Sequence, residues 1–500
     1  MGSPPGKGGK LVSLAVPDSV CNYVGGVECP TASGEWFEKL DPTSGRLLTR
    51  VARSRTADID SAIRAAKSAQ ASWARTTPVR RGDLLRDVAL ALEDRKKEIA
   101  SLVAAETGKS VKDALGETTA AVEMGMFVAG EGRRFYGRTT TSAIPNKNAM
   151  TVRQPLGIAG LIIAANTPIA NVCWKVFPAL LCGNAAVLKP AEDTPLSAWA
   201  FARLGHEVGI PSGVLNVVHG FGDEAGAPLV ESKDVAVVSF TGSSDVGRYI
   251  ARTVGERLGK VCLELGGKNP LIVCDDADLP RAVESAALSA FSNAGQRCSS
   301  GSRIIVFSKV YDEFREMLVA RANALRVGPD DSDDFGPVIN EGQLDNMLAG
   351  IARAREDGAC VVTGGFRLTG APYKGGFYIG PTIIEGVTAD TPISQTELFG
   401  PITCLYRVNT FEEALVLADC SGFGLTAAIH TRDINRAMTF LASIKSGVAV
   451  VNGGTYGSEP HMPFGGLRQS GNGFREAGTE ALDVYSDWKT VYVNFDPQVV

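Results

Sequence analysis

Cys298 stands in the run Ala294-Gly295-Gln296-Arg297-Cys298-Ser299-Ser300-Gly301. Upstream, Glu264 lies in Leu263-Glu264-Leu265-Gly266-Gly267-Lys268-Asn269-Pro270, and Asn166 in Ala164-Ala165-Asn166-Thr167-Pro168. A thiol, a carboxylate and a side-chain amide supply a nucleophile, a base and an oxyanion donor. A free cysteine is more often a small buried hydrophobe than a nucleophile, and that reading suits most of the other nine. Cys298 differs because Gln296, Arg297, Ser299 and Ser300 surround it with polarity. Arg297, with a helix or cofactor charge nearby, is expected to lower its pKa and raise the thiolate fraction. The Cys298 backbone N–H and the Asn166 amide would hold the anion of a thiohemiacetal, which can expel hydride to a nicotinamide. The remaining thioester needs an activated water, a task for Glu264.

A second group of residues suits a dinucleotide. Gly242-x4-Gly247 follows an apolar strand and opens a helix, where backbone N–H groups and the helix dipole favour a pyrophosphate. This is not G-x-G-x-x-G, and standing alone it would read as a strand-to-helix turn that needs glycine for its geometry. Lys189 and Glu192 after a neighbouring strand add weight. A lysine and a carboxylate there can hold the hydroxyls of an adenosine ribose, and the carboxylate would repel a 2′-phosphate. NAD is therefore expected over NADP.

These residues need elements to position them. From Gly157 the pattern alternates short apolar strands with helices. The expected strands are 160–164, 185–188, 214–218 and 234–240, with helices over 175–181 and 196–208 and another after Gly247. A second such series begins with a helix over 279–294 and continues to a strand at 447–451. Repeated units of this kind imply α/β architecture with doubly wound parallel sheets. Before them, helices are expected over 56–70, 80–107 and 111–133. Two strand-like ribbons, 139–153 and 488–495, could pair with each other and with another subunit's sheet, or form an ordinary edge hairpin. The expected division is a cofactor domain over 1–134 and 155–265, a catalytic domain over 266–463, and a small β oligomerisation arm over 135–154 and 464–500. The first ten residues, rich in Gly, Pro and Lys, are expected to lack order.

Composition excludes other classes. The chain has 500 residues, 44% hydrophobic and 21% charged, with a formal net charge of −5. That balance suits a globular protein and argues against nucleic acid as a partner. The basic run Arg95-Lys96-Lys97 is flanked by Glu93-Asp94 and Glu98 and reads as a solvated helix face. Ten cysteines without a C-x-x-C pair and four scattered histidines give no zinc spacing. No metal is expected. Reduced thiols, the lack of an apolar signal core and the lack of a membrane-length apolar run point to a cytoplasmic protein.

With these motifs in view, the chain resembles the NAD(P)-dependent aldehyde dehydrogenase superfamily over about 36–493. The carrying motifs are Leu263-Glu264-Leu265-Gly266-Gly267, Gly295-Gln296-Arg297-Cys298, Phe240-Thr241-Gly242-Ser243 and Glu397-Leu398-Phe399-Gly400-Pro401. The resemblance implies Cys298 as nucleophile, Glu264 as deacylation base, Asn166 as oxyanion amide, and Lys175 with Glu476 as a proton relay. It implies a cofactor site from Ala164, Ala165, Lys189, Glu192, Phe240, Thr241, Gly242, Ser243, Val246, Leu265, Glu397 and Phe399. It implies a substrate tunnel near Thr167, Trp174, Arg297, Ser299 and Phe464. On the residues alone, Lys175 reads as a surface lysine, Glu397 as a capping or surface carboxylate and Trp174 as core. Thr167 replaces an aromatic common in relatives, and the glycines before Phe464 suggest a roomy tunnel mouth. Arg297 is expected in an outward or interface-facing salt bridge, with carboxylate recognition the lesser alternative. The implied reaction is aldehyde to carboxylic acid with NAD, in a homodimer or homotetramer. The alternatives are a coenzyme A-acylating semialdehyde dehydrogenase, disfavoured by the retained Glu264, and a non-catalytic protein on the same fold, disfavoured by Cys298 and Glu264 together.

Overall fold

The strands Ile158–Ile162 and Ala185–Lys189 are buried at every position, as near-continuous apolar runs in a parallel sheet covered on both faces must be. In the computed structural model, which describes residues 14–498, they lie at the centre of a seven-stranded sheet. From one edge its order is Lys260–Glu264, Val235–Thr241, Ile158–Ile162, Ala185–Lys189, Leu215–Val217, Asn22–Val24 and Val27–Cys29. The first five strands are parallel, and an antiparallel hairpin closes the far edge. Alternate side chains serve two cores, as the period of two in a strand requires. Ile158, Ile162, Ala185 and Val187 pack with Ile59 and Ile63 of the helix Thr56–Arg75. Ala159, Leu161, Ala186 and Leu188 pack with Val172, Val176 and Phe177 of the helix Pro168–Leu181.

A second seven-stranded sheet runs Cys360–Thr363, Thr382–Glu385, Ile402–Val408, Arg303–Phe307, Pro270–Val273, Thr426–His430 and Val448–Val451. It is parallel apart from its first strand. Its core draws only on residues between Leu271 and Phe440. The two expected ribbons pair with each other: Ser486–Asn494 runs antiparallel to Lys147–Pro155 along its whole length, and Thr139–Thr140 adds a third strand. The first ten residues lie outside the described range. No described helix is long and apolar enough to cross a membrane.

Several expectations need correction. The helix expected over 80–107 is two, Pro78–Asp94 and Lys96–Thr107. Arg95 leaves helical geometry (φ −110°, ψ 15°), its buried guanidinium set against Glu98 and Glu207 at 2.8 and 3.7 Å. No Gly or Pro marks that break. The helix expected from Lys175 begins at Pro168, where proline at the first position suits a helix start. The helix expected to reach Ala294 ends at Phe291. Short strands at 19–20, 22–24, 27–29, 36–40, 47–52, 260–264 and 270–273 were not expected; most are two to five residues long and too short to show a period.

Candidate active site

Parallel strands align their carboxyl ends, and ligand sites of open α/β sheets form there. Lys189 pairs with Ile162, Ile162 with Phe240, and Phe240 with Leu263. Asn166, Glu192, Gly242 and Glu264 therefore all follow from one edge of the first sheet. The second sheet contributes Cys298, on the loop before Arg303–Phe307.

Three consecutive left-handed residues shape that loop: Asn293, Ala294 and Gly295 have φ of 55°, 52° and 67°. Such geometry costs about 1–2 kcal/mol at each non-glycine position, so other contacts must hold it. Asn269 supplies two, its amide donating to the Cys298 carbonyl (2.7 Å) and the Ser300 carbonyl (2.8 Å). Thr455 Oγ1 donates to the Ser299 carbonyl at 2.6 Å, and Ser300 Oγ to the Gly295 carbonyl at 2.8 Å. Gly267 lies against the Cys298 carbonyl so closely that any side chain there would collide with it. The thiol is not activated in the way its neighbours suggest. Burial, then the charges of Glu397 and Glu264, push its pKa up to about 12, and Arg297 offsets only part of this.

Glu264 ends the strand Lys260–Glu264, and both its carboxylate oxygens are buried without a hydrogen-bond partner. Its pKa is raised well above the usual carboxylate range, by burial first and then by Glu476, with Lys175 and Arg475 opposing. Lys175 is fully buried and ion-paired to Glu476, so it is no surface lysine. Ser239 joins that pair, accepting from Lys175 Nζ at 2.8 Å and donating to Glu476 Oε1 at 2.8 Å. Glu476 bridges back to Phe464 through the backbone. The Phe464 ring meets Trp174 edge-on, with centroids 5.6 Å apart. A side chain at Gly465 would run into Glu264 and Arg475, so this loop closes directly over the carboxyl.

Ala164, Ala165, Asn166 and Thr167 are half-buried between the strand Ile158–Ile162 and the helix Pro168–Leu181. Asn171 in the first turn of that helix ties them together. Its amide donates to the Ala164 carbonyl (3.3 Å), Asn166 Oδ1 (3.4 Å) and Thr167 Oγ1 (3.3 Å). With its amide oxygen so engaged, Asn166 presents Nδ2, which makes no hydrogen bond among the described residues.

On the other side, Lys189 Nζ donates to the Pro190 carbonyl (2.9 Å) and to Glu192 Oε2 (3.3 Å). Burial lowers its pKa, with Glu192 opposing. A third ammonium donor is left over. Phe240 stacks its ring on Gly242. Ser243 caps the helix Ser244–Glu256 by accepting from the Val246 N–H at 3.4 Å. Val246 is exposed beside that cap, and Thr241 Oγ1 is buried without a partner. Leu265 packs on Gly247. Glu397 is neither a cap nor a surface group. One oxygen accepts from the Gly267 N–H at 3.0 Å, and burial raises its pKa to about 7. Phe399, two residues on, has a left-handed φ of 55°.

Within the chain Arg297 makes no ion pair among the described residues, and its Nε is buried without a partner, so the outward form of the expected salt bridge is absent. Its charge is felt at Tyr456, in the loop leading to Phe464. Ser299 is buried behind Cys298. Four residues that organise the site were not singled out in the sequence: Asn171, Ser239, Asn269 and Asn293. Only Asn269 stood inside a quoted motif.

The model of the aldehyde dehydrogenase family matches residues 29–491. The chain belongs to the aldehyde dehydrogenase family. As an aldehyde dehydrogenase family member it is 37% identical, over 475 residues, to an α-ketoglutaric semialdehyde dehydrogenase of Bacillus subtilis, covering 94% of this chain and 97% of that protein. It is also 37% identical to a hydroxyisobutyraldehyde dehydrogenase of Mycolicibacterium austroafricanum, covering 95% and 94%. Among solved structures, the betaine aldehyde dehydrogenase of Staphylococcus aureus in complex with NAD+ is similar, with TM-score 0.93, 32% identity and coverage of 96% and 98%.

Proposed function

We propose that this family member oxidises an aldehyde to a carboxylic acid with NAD, through a thioester on Cys298 that water hydrolyses. The observation that carries this reading is Glu264, a buried carboxyl with both oxygens unpartnered, whose charge reaches Cys298. The residues on the cofactor side fit a dinucleotide. Lys189 has a spare donor, Thr241 Oγ1 has no partner, and the Ser243-capped helix start offers N–H groups to a pyrophosphate. Lys189 and Glu192 would hold the adenosine ribose, and Glu397 and Phe399 the nicotinamide end. When bound, NAD supplies the two-electron sink for the hydride.

In the first step Cys298 Sγ bonds to the aldehyde carbon. The thiol proton passes to water, and the carbonyl oxygen becomes an oxyanion held by Asn166 Nδ2 and the Cys298 N–H. The C–H bond then breaks with loss of hydride, the carbonyl re-forms, and a thioester remains. Glu264 in its ionised form takes a proton from water, whose oxygen attacks the thioester carbon. The C–S bond breaks, Sγ leaves as thiolate, and the acid is released. Lys175, Ser239 and Glu476 form a connected buried cluster whose charges act on Glu264 without a direct hydrogen bond to it, so a proton would pass from Glu264 toward them through water. Trp174, Thr167 and Phe464 line the approach.

The favoured substrate class is an aldehyde that also carries a carboxylate. Arg297 supports this as a positive group beside the nucleophile with no ion-pair partner, and two similar proteins are named for the semialdehyde of α-ketoglutarate. The test is NADH formation across carboxylated and neutral aldehydes, with NAD or NADP, with and without coenzyme A, beside Cys298→Ala. Turnover without coenzyme A that vanishes in Cys298→Ala is the expected result. Turnover only with coenzyme A would move the assignment to the acylating class. Arg297→Ala is expected to erase any preference for the carboxylated aldehydes; an unchanged preference would remove Arg297 from substrate recognition. Exposed Trp488, Tyr492 and Phe495 on the paired ribbon suit self-association as a dimer or tetramer, which light scattering would measure.

A further inference from the structure

Asn166 is gripped from behind by an ion pair that no catalytic motif marks. Lys109 follows the helix Lys96–Thr107, and Glu117 lies on the helix Val111–Glu131. The Lys109 ammonium donates to Glu117 Oε2 at 2.6 Å and to the Asn166 carbonyl oxygen at 2.9 Å. Glu117 Oε1 accepts from the Ile169 N–H at 3.0 Å and the Ala170 N–H at 3.4 Å, in the first turn of Pro168–Leu181. The side chains of Lys109 and Glu117 are only 7% and 5% exposed. A second donor reaches the same Asn166 carbonyl: Asn293 Nδ2, at 3.4 Å, from the left-handed run that precedes Cys298.

We propose that Lys109 is a positioning residue for the oxyanion step: it pins the Asn166 peptide so that Nδ2 faces the carbon attacked by Cys298. Glu117 fixes the ammonium and ties it to the start of the helix that carries Asn171. Asn166 thus has its carbonyl held by Lys109 and Asn293 and its amide oxygen by Asn171, which leaves the side-chain Nδ2 without a partner among the described residues. The division of labour follows from the geometry. A carboxylate alone would satisfy the helix N–H groups. The ammonium's second bond, to Asn166, does nothing for the helix and sets only the peptide that bears the amide. A displacement of about 1 Å at a group stabilising a transition state costs on the order of 100-fold in rate.

This inference rests on the proposed oxyanion role of Asn166, and a double-mutant cycle separates the two. The variants are Lys109→Met, Asn166→Ala and the pair together, with Lys109→Met/Glu117→Gln as a form that leaves no stranded buried carboxylate. NADH affinity by fluorescence checks that each folds with its cofactor side intact. Asn166→Ala should lower kcat by about 100-fold or more; an unchanged kcat would overturn the oxyanion reading and the inference with it. Lys109→Met, or the Glu117→Gln form if the single variant does not fold, should lower kcat by about 10- to 100-fold. In the Asn166→Ala background the same change should cost less than about threefold, because the group it positions is gone. A cost that multiplies in full on top of Asn166→Ala, or an unchanged kcat in the single variant, would overturn the positioning role while leaving the oxyanion reading in place.

Discussion

Phe464 and Glu476 exchange backbone hydrogen bonds in both directions, at 2.7 and 2.8 Å. The aromatic that faces Trp174 and the carboxylate that binds Lys175 are thus one mechanical unit, with Gly465 between them pressed against Glu264. A change at Phe464 is therefore expected to alter the surroundings of Glu264. The buried pair Lys175–Glu476 is also the cross-link between this C-terminal segment and the helix Pro168–Leu181.

Glu264→Gln should convert steady turnover into a burst. About one NADH per site forms, followed by a rate lower by on the order of 100-fold or more, since acylation needs no base at this position and deacylation does. Rapid-mixing absorbance at saturating aldehyde reads the two phases. Absence of a burst would place the loss before the thioester.

The same carboxyl makes a prediction about stability. Its folded pKa lies above its unfolded value of about 4.3, so the folded state binds the extra proton. Its contribution to stability is complete below that unfolded value and is lost as pH rises toward the folded one. Glu264→Gln removes this dependence. Its melting temperature should therefore rise relative to the parent as pH increases from 5 to 8. A constant difference would contradict the raised pKa.

Cys298 in the free protein should be a sluggish thiol. With its pKa pushed up to about 12, alkylation by iodoacetamide without NAD should keep accelerating to pH 10 and beyond. A midpoint near the ordinary thiol pKa of about 8.5, with a plateau by about pH 10, would show that the burial and the Glu397 and Glu264 charges are offset.

Removing one partner of the Lys175–Glu476 pair should cost about 3–5 kcal/mol, because it strands a buried charge. Denaturant melts of Lys175→Met and Glu476→Gln would measure it. The double variant Lys175→Met/Glu476→Gln should recover much of that loss without recovering kcat. Recovery of both would make the pair purely structural.

Glu192→Ser should relax discrimination against NADP by removing a carboxylate from the ribose side of Lys189. The ratio of kcat/KM for the two cofactors reads this. An unchanged ratio would take Glu192 out of cofactor selection.

The sequence by itself determined the chemistry-bearing types and the α/β alternation. Cys298, Glu264 and Asn166 stand in short local motifs. The runs 158–162 and 185–188 are apolar without a break, because both faces of a parallel sheet are covered. Those signals are local, and local signals survive in a linear reading. What only the tertiary structure decided is long-range. Lys175 reads as a surface lysine until a strand residue, Ser239, and a residue far downstream, Glu476, enclose it. The Cys298 pKa reads as lowered while only Arg297 is in view, and is raised once burial, Glu397 and Glu264 are counted. Arg297 finds no carboxylate partner among the described residues of its own chain, which its place in the sequence did not reveal. Lys109 and Asn293 sit far from Asn166 along the chain and meet it only when the helices and the strained loop are packed. Desolvation and the distance between charges depend on which segments enclose a group, and folding alone sets that.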